Sequence, residues 1–223
     1  MRKSTPVQFL IRVIIYIIGL FFLALGVAVS VNSNLGISPV NSLPYVISQV
    51  VNKALGTCVI VVFCSYIVLQ IIILRKEFNP INLLQIVFST IFGYFVDFAK
   101  LLVGDWVLPG YLGRLVMLAI SIVLIALGVL LYVEVDLVPM PMEGLSMTIA
   151  KKLKKPFPTM KMVVDCVVVC AGIVISFVVF HKLVGIREGT VITALVTGTI
   201  IAVMKKPLSP VLQKLCFGEK SKT

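Results

Sequence analysis

The sequence predicts an all-α integral membrane protein with six transmembrane helices, arranged as two inverted three-helix repeats. Of its 223 residues 60% are hydrophobic and 13% are charged, whereas about a quarter of the residues of a soluble domain are charged. The charges are excluded from apolar runs of about 20 residues, the length that a helix needs to cross a bilayer. The two halves of the chain also align with each other at a fixed offset, which predicts the repeats.

The spans are predicted from continuous apolar runs such as VIVVFCSYIVLQIIIL at residues 59–74. Strands of a membrane β-barrel would alternate apolar and polar residues over about ten positions. No such alternation occurs in these runs, so we expect helices. The six predicted spans cover residues 8–30, 57–74, 80–103, 113–133, 160–182 and 188–204.

The net charge of +11, from 20 Lys and Arg against 9 Asp and Glu, predicts the orientation. Cytoplasmic ends of membrane spans carry an excess of Lys and Arg. If the N-terminus is inside and six spans alternate, most basic residues fall at inside ends, including the run KKLKK at 151–155. We therefore expect a protein of the bacterial cytoplasmic membrane with both termini in the cytoplasm. We therefore expect the basic residues to interact with the lipid bilayer, and we expect no nucleic-acid partner.

An offset of 102 residues places residues 24–43 on the second half of the chain without a gap, and a slip of three residues extends the match. Each copy holds three spans, and an odd number makes the second copy enter the membrane from the opposite side. The predicted units are residues 1–104 and 105–208, followed by a cytoplasmic tail at 209–223. Matched pairs are Gly26 with Gly128, Pro39 with Pro141, Cys64 with Cys166 and Gly93 with Gly198.

A proline-containing loop follows the first span of each copy, GISPVNSL at 36–43 and VPMPMEGL at 138–145. Each loop leads to a predicted short helix, at 44–55 and 144–155, that cannot span a bilayer. Both segments fit a re-entrant, cavity-lining arrangement and a flat interfacial helix. In inverted-repeat transporters, interrupted segments meet near the midplane and form the binding site. The candidate substrate-binding residues are therefore Ser38, Pro39, Asn41, Ser42, Met140, Pro141, Met142 and Glu143.

Two aspartates lie inside predicted spans, Asp165 in the fifth and Asp97 in the third. An acidic residue at the centre of a span costs about 2.5–3.5 kcal/mol on insertion scales, so such residues are functional candidates. We assign both as candidates for proton coupling. Each also has a structural alternative, since Asp97 could pair with Lys100 and Asp165 with Lys161.

The inventory of reactive residues argues against enzymatic chemistry. The five cysteines form no CxxC motif, and the chain contains one histidine, His181. Zinc sites are built from grouped Cys and His ligands, and an enzyme would need a nucleophile with its base. We therefore expect no metal site, no cofactor and no enzymatic activity.

Three segments carry a resemblance to a known family. ALGVAVSVNSNLGISPVNSL at 24–43 resembles the first-repeat signature of the YczE/YitT-type bacterial membrane proteins. PMEGL at 141–145 and GIREGTVITAL at 185–195 resemble the second-repeat step and the glycine-rich segment before the last span of that family. The resemblance covers nearly the whole chain. Because the family is largely uncharacterised, it implies a membrane class and a topology, and no activity.

Together these features predict a small secondary transporter or facilitator of an unidentified small organic solute, working by alternating access between the repeats. The alternative is a non-transporting accessory or substrate-binding subunit of a larger complex. A chain of six spans is small for a transporter, which is compatible with a homodimer.

Overall fold

The computed structural model describes residues 5–218, and its regular structure is entirely helical, which confirms the predicted all-α class. Two short 3-10 turns, Arg75–Glu77 and Pro80–Leu83, link the third and fourth helices. The α-helices are α1 Pro6–Ser33, α2 Pro39–Val51, α3 Leu55–Leu74, α4 Leu84–Val103, α5 Gly110–Glu134, α6 Pro141–Leu153, α7 Phe157–Phe180 and α8 Glu188–Phe217.

Six of these helices, all except α2 and α6, are long and apolar enough to cross a membrane, as the sequence predicted. The first begins with a capping box, in which the Thr5 hydroxyl accepts a hydrogen bond from the Gln8 backbone N–H and the Gln8 side chain accepts one from that of Thr5. It ends before Asn34, which adopts the left-handed conformation that terminates helices. The chain is thus a multi-pass membrane protein.

Both halves of the chain run in the same order of one long, one short and two long helices. The most extensive helix–helix contact joins the first helix of each half, α1 and α5. Glycines allow this approach, because a Cβ atom at Gly19 would lie 2.9 Å from the Gly128 carbonyl oxygen, and one at Gly26 would lie 2.9 Å from the Ser121 carbonyl oxygen. The ALG motif that both halves share therefore lies at the close contact between α1 and α5.

The two short helices begin earlier than predicted, at Pro39 and Pro141 rather than at residue 44 and residue 144. Proline suits the first helical position because its missing N–H would be unpaired there and its φ is already helical. Residues that we expected in the loop tips, such as Asn41 and Glu143, therefore lie in the first turn of a helix.

Both short helices pack against α3 and α7 within the bundle. In α6 the buried residues include Met142, Leu145, Ser146 and Ala150, and in α2 they include Val46. A flat interfacial helix would bury one apolar face in lipid instead. The packing therefore favours the cavity-lining alternative.

The last helix extends beyond the predicted span end at residue 204 and through the start of the predicted tail, passing Pro207 and Pro210 before it ends at Phe217. Contacts with α5 hold this extension, since the Glu134 carboxylate accepts a hydrogen bond from Ser209 at 2.5 Å and pairs with Lys205 at 3.0 Å. Residues 219–223 of the predicted tail lie outside the described residues.

Candidate functional site

A cavity of about 300 Å³ lies where the first turns of α2 and α6 face the long helices. Both halves of the chain contribute to its wall, as we expected for a site between interrupted segments. The predicted residues that line it are Ser38, Pro39, Asn41, Met140, Glu143 and Asp165.

A cluster of three charged side chains stands on one side of the cavity. The Lys161 ammonium nitrogen lies 2.6 Å from Asp165 Oδ1 and 3.8 Å from Glu143 Oε1. The expected pairing of Asp165 with Lys161 is thus confirmed, and the same lysine also faces Glu143. The Tyr132 side chain also lines this cavity. Two acids and one base leave this cluster with a negative charge when all three are ionised.

Several acceptor atoms at the cavity have no hydrogen-bond partner among residues 5–218. They are Asn41 Oδ1, Glu143 Oε2 and Thr197 Oγ1. Asn41 is only 2% exposed, its amide nitrogen donates to Ser38 Oγ at 3.1 Å, and the residue lines the cavity. Leaving a buried polar atom unpaired costs about 1–3 kcal/mol. A ligand with hydrogen-bond donors would recover that free energy.

Glu143 is the acidic residue that the two short helices bring to the cavity. Burial raises the pKa of its carboxyl group above the ordinary value for glutamate, and the nearby Lys161 opposes that rise. Its side chain keeps 19% exposure although Oε2 is fully buried. A carboxyl group with a raised pKa can exchange a proton nearer neutral pH than an ordinary one.

The rest of the wall is apolar and aromatic. Phe63 of α3 and Phe92 of α4 stack with ring centroids 5.9 Å apart. Leu23, Ile125 and Ile201 complete the apolar surface. A pocket that is mainly apolar, with a few converging polar groups, is the usual form of a small-molecule site.

Four predicted residues lie away from the cavity. Ser42 is fully buried and donates to the Pro39 carbonyl oxygen at 2.7 Å, and Pro141 and Met142 pack inside the first turn of α6. Asp97 accepts a hydrogen bond from the Gly56 backbone N–H at 2.7 Å and so joins α4 to the start of α3. The Asp97 carboxylate thus binds a backbone N–H of the first turn of α3, where N–H groups have no partner within the helix. In the described part of the chain it forms no ion pair with Lys100, the alternative that the sequence offered.

The sequence reasoning did not assign four polar wall residues to the site: Tyr132, Lys161, Thr193 and Thr197. Lys161 was considered only as a partner of Asp165, although it also reaches Glu143 across the interface of α6 and α7. Thr193, Thr197 and Tyr132 were not among the predicted site residues. The threonine spacing at 190, 193 and 197 placed these hydroxyls on one face of α8, but no pattern showed that this face borders the cavity.

These features define a multi-pass membrane protein with an internal, partly charged cavity between its two halves. The chain belongs to DUF6198, a family of unknown function, whose profile matches residues 10–206. It is also similar to the uncharacterized protein YyaS of Bacillus subtilis (strain 168), at 26% identity over 189 residues, covering 84% of this chain and 89% of that protein. No solved structure matches the chain.

Proposed function

We propose that this protein is a small secondary transporter or facilitator that carries a small organic solute across the bacterial cytoplasmic membrane. The observation that supports the proposal best is the shared cavity, which is lined by Ser38 and Asn41 at the start of α2 and by Met140 and Glu143 at the start of α6. Interrupted segments of two related halves form the substrate site in many secondary transporters.

The mechanism that fits is alternating access between two inverted repeats. The two halves would rock against each other along α1 and α5 and expose the cavity to one side at a time. Both termini would lie in the cytoplasm, and a relation to the YczE/YitT-type proteins is part of the proposal. Ser38, Asn41 and Met140 would contact the solute.

Proton coupling would use the charged cluster of Glu143, Lys161 and Asp165. A solute that binds beside the carboxyl groups of Glu143 and Asp165 would change the electrostatic potential at those groups. One of the carboxyl groups would then release or take up a proton. This linkage is available because the carboxyl groups share one lysine rather than having a separate partner each.

The test is proton flux in proteoliposomes that contain a pH-sensitive dye. A panel of small organic solutes is added across a membrane with an imposed proton gradient. We expect at least one solute to release protons, and Glu143→Gln or Asp165→Asn to abolish that flux. Asp97→Asn is the matched control, because Asp97 is an intramembrane acid outside the cavity, and it should keep the flux.

The proposal would be contradicted if the folded and correctly inserted protein transported none of the solutes and no solute drove proton flux. The accessory-subunit alternative would then gain weight, especially if a partner protein co-purified in fixed ratio.

A further inference from the structure

The two halves differ in how their last two helices pack against each other. In the first half, α3 packs closely on α4, and a side chain at Gly56 would collide with the Gly93 carbonyl oxygen. In the second half, within the described residues, α7 and α8 have no comparable packing. A Cβ atom at Gly198, the match of Gly93, would meet no atom of residues 5–218 within 4 Å. The second half therefore has a gap where the first half is closed.

The residues on the two sides of this gap explain the difference. The stacked pair Phe63 and Phe92 joins α3 to α4. The repeat offset places Asp165 on Phe63, and the slipped offset places Thr197 on Phe92. In the second half, the small polar side chains of Asp165 and Thr197 thus take the positions that Phe63 and Phe92 occupy in the first half. Asp165 and Thr197 both line the cavity.

The gap opens the cavity at the level of the membrane interior. Ala194 and Gly198 of α8 line the cavity and are exposed residues. Thr197 lies nine residues from the start of α8, about 14 Å along the helix at 1.5 Å per residue. Half the thickness of the hydrocarbon core is about 15 Å. The molecules that meet this opening are therefore those dissolved in the bilayer.

We propose that the ligand is an amphipathic amine that enters this cavity sideways from the bilayer, between α7 and α8. This inference rests on the proposed function, since the cavity is taken as the transport site. The amine would sit beside Glu143 and Asp165, in the position that the Lys161 ammonium group partly fills now. Its N–H groups would donate to the unpaired oxygens of Asn41 and Glu143.

The size and lining of the cavity support an apolar tail on this ligand. About 300 Å³ is the lower end of the range for ligand pockets, so a long chain would extend through the gap into lipid. The wall that leads to the gap carries Ile201 and Ala194. At these two side chains, an apolar tail makes the favourable contacts.

The test is photo-crosslinking in proteoliposomes with a dodecylamine that carries a diazirine in its chain. We expect crosslinks on the facing sides of α7 and α8, around residues 162–167 and 194–201, mapped by mass spectrometry. The double variant Glu143→Gln, Asp165→Asn should reduce their yield about tenfold, as expected for losing charge-assisted hydrogen bonds. Thr197→Phe, which restores the ring of the first half, should reduce it similarly. Leu195→Phe, on the lipid-facing side of α8 with 72% exposure, should not.

Competing amphiphiles test the headgroup. Unlabelled dodecylamine should suppress the crosslinks, dodecyltrimethylammonium should suppress them less because it has no N–H donor, and dodecanol should not suppress them. Equal competition by dodecanol would overturn the amine assignment, and equal competition by methylamine would overturn the tail. A high yield of disulfide dimers from Gly198→Cys in a cysteine-free background would also overturn the proposal, because a second copy would then fill the gap.

Transport and ligand class can fail separately. If a hydrophilic solute drives proton flux but the amine gives no site-specific crosslinks, the proposed function stands and this inference is wrong. If the amine crosslinks as expected but no solute drives flux, the ligand assignment stands and transport is wrong.

Discussion

The two connections that lead into the short helices are held in different ways. Residues 35–37, before α2, pair through their backbone with the link between α7 and α8, where Ile37 N–H donates to the Gly185 carbonyl at 3.0 Å. Residues 135–138, before α6, are held by side chains of α1. Arg12 donates to the Val135 and Asp136 carbonyl oxygens at 2.7 and 2.6 Å, and the Tyr16 hydroxyl donates to the Val138 carbonyl at 3.0 Å.

Each connection is therefore held by the other half of the chain, one by main chain and the other by two side chains. A movement of the halves against each other must break one of these sets of hydrogen bonds. The main-chain set depends on a local backbone conformation. In the side-chain set, Arg12 donates two of the hydrogen bonds. Arg12 is 1% exposed and also lies over the Phe217 ring at 4.9 Å.

Arg12→Met should have the largest effect on stability. It leaves two carbonyl oxygens of the α5–α6 connection without their donor, and we expect a loss of about 3 kcal/mol. Thermal unfolding of the purified protein in detergent measures it. Arg187→Met is the matched control, because Arg187 donates to the Asn34 carbonyl at 3.2 Å from an exposed position, and should cost less than about 1 kcal/mol. Equal losses would contradict the difference between the two connections.

Gly36→Ala should have the second-largest effect on stability. Gly36 has φ of +124°, which side chains rarely adopt, and a Cβ atom would lie 2.8 Å from the Thr190 backbone nitrogen. Backbone strain of this kind costs about 1–3 kcal/mol. At Gly144 of the second half, which has no positive φ, a Cβ atom would instead meet the side-chain amide groups of Gln70 and Gln85. Gly144→Ala should therefore lower the unfolding temperature less than Gly36→Ala. The reverse order would contradict the dependence of the main-chain set on the backbone conformation at Gly36.

The smallest effect concerns pH and distinguishes the two short helices. Burial raises the pKa of Glu143, with Lys161 opposing and Asp165 supporting the rise. The folded state thus holds this proton more tightly than the unfolded chain. Its contribution to stability is complete below the ordinary glutamate pKa and is lost as pH rises through the raised value.

Unfolding temperature measured against pH should therefore fall over that window in the wild type and fall less in Glu143→Gln. Asn41→Ser, at the matching position of α2, removes no titratable group and should keep the wild-type slope. An unchanged slope in Glu143→Gln would mean that this carboxyl group ionises as freely in the folded protein as in the unfolded chain.

Much of the fold could be predicted because apolar run length and helix-breaking residues are local signals. Six helices long and apolar enough to cross a membrane were confirmed, while the starts of α2 and α6 were misplaced by three to five residues. Proline was interpreted there as a loop residue, although it also fits the first position of a helix.

The site could be predicted only in part. The two loops indicated Asn41 and Glu143 because both halves repeat the same interruption. The place of Lys161 and Thr197 depends on how α7 and α8 lie against other helices, which no local pattern encodes. Asp97 carried the same signal as Asp165, yet a contact with the Gly56 backbone N–H removes it from the cavity.

The central claim is that the cavity between the halves opens to each side of the membrane in turn. A single cysteine at Asn41, in a background without the five natural cysteines, tests it most directly. Its labelling rate with a membrane-impermeant maleimide is measured in right-side-out and in inside-out vesicles. Alternating access predicts labelling from both sides, with a solute that drives flux changing the two rates in opposite directions. Labelling from one side alone, unchanged by every such solute, would contradict it.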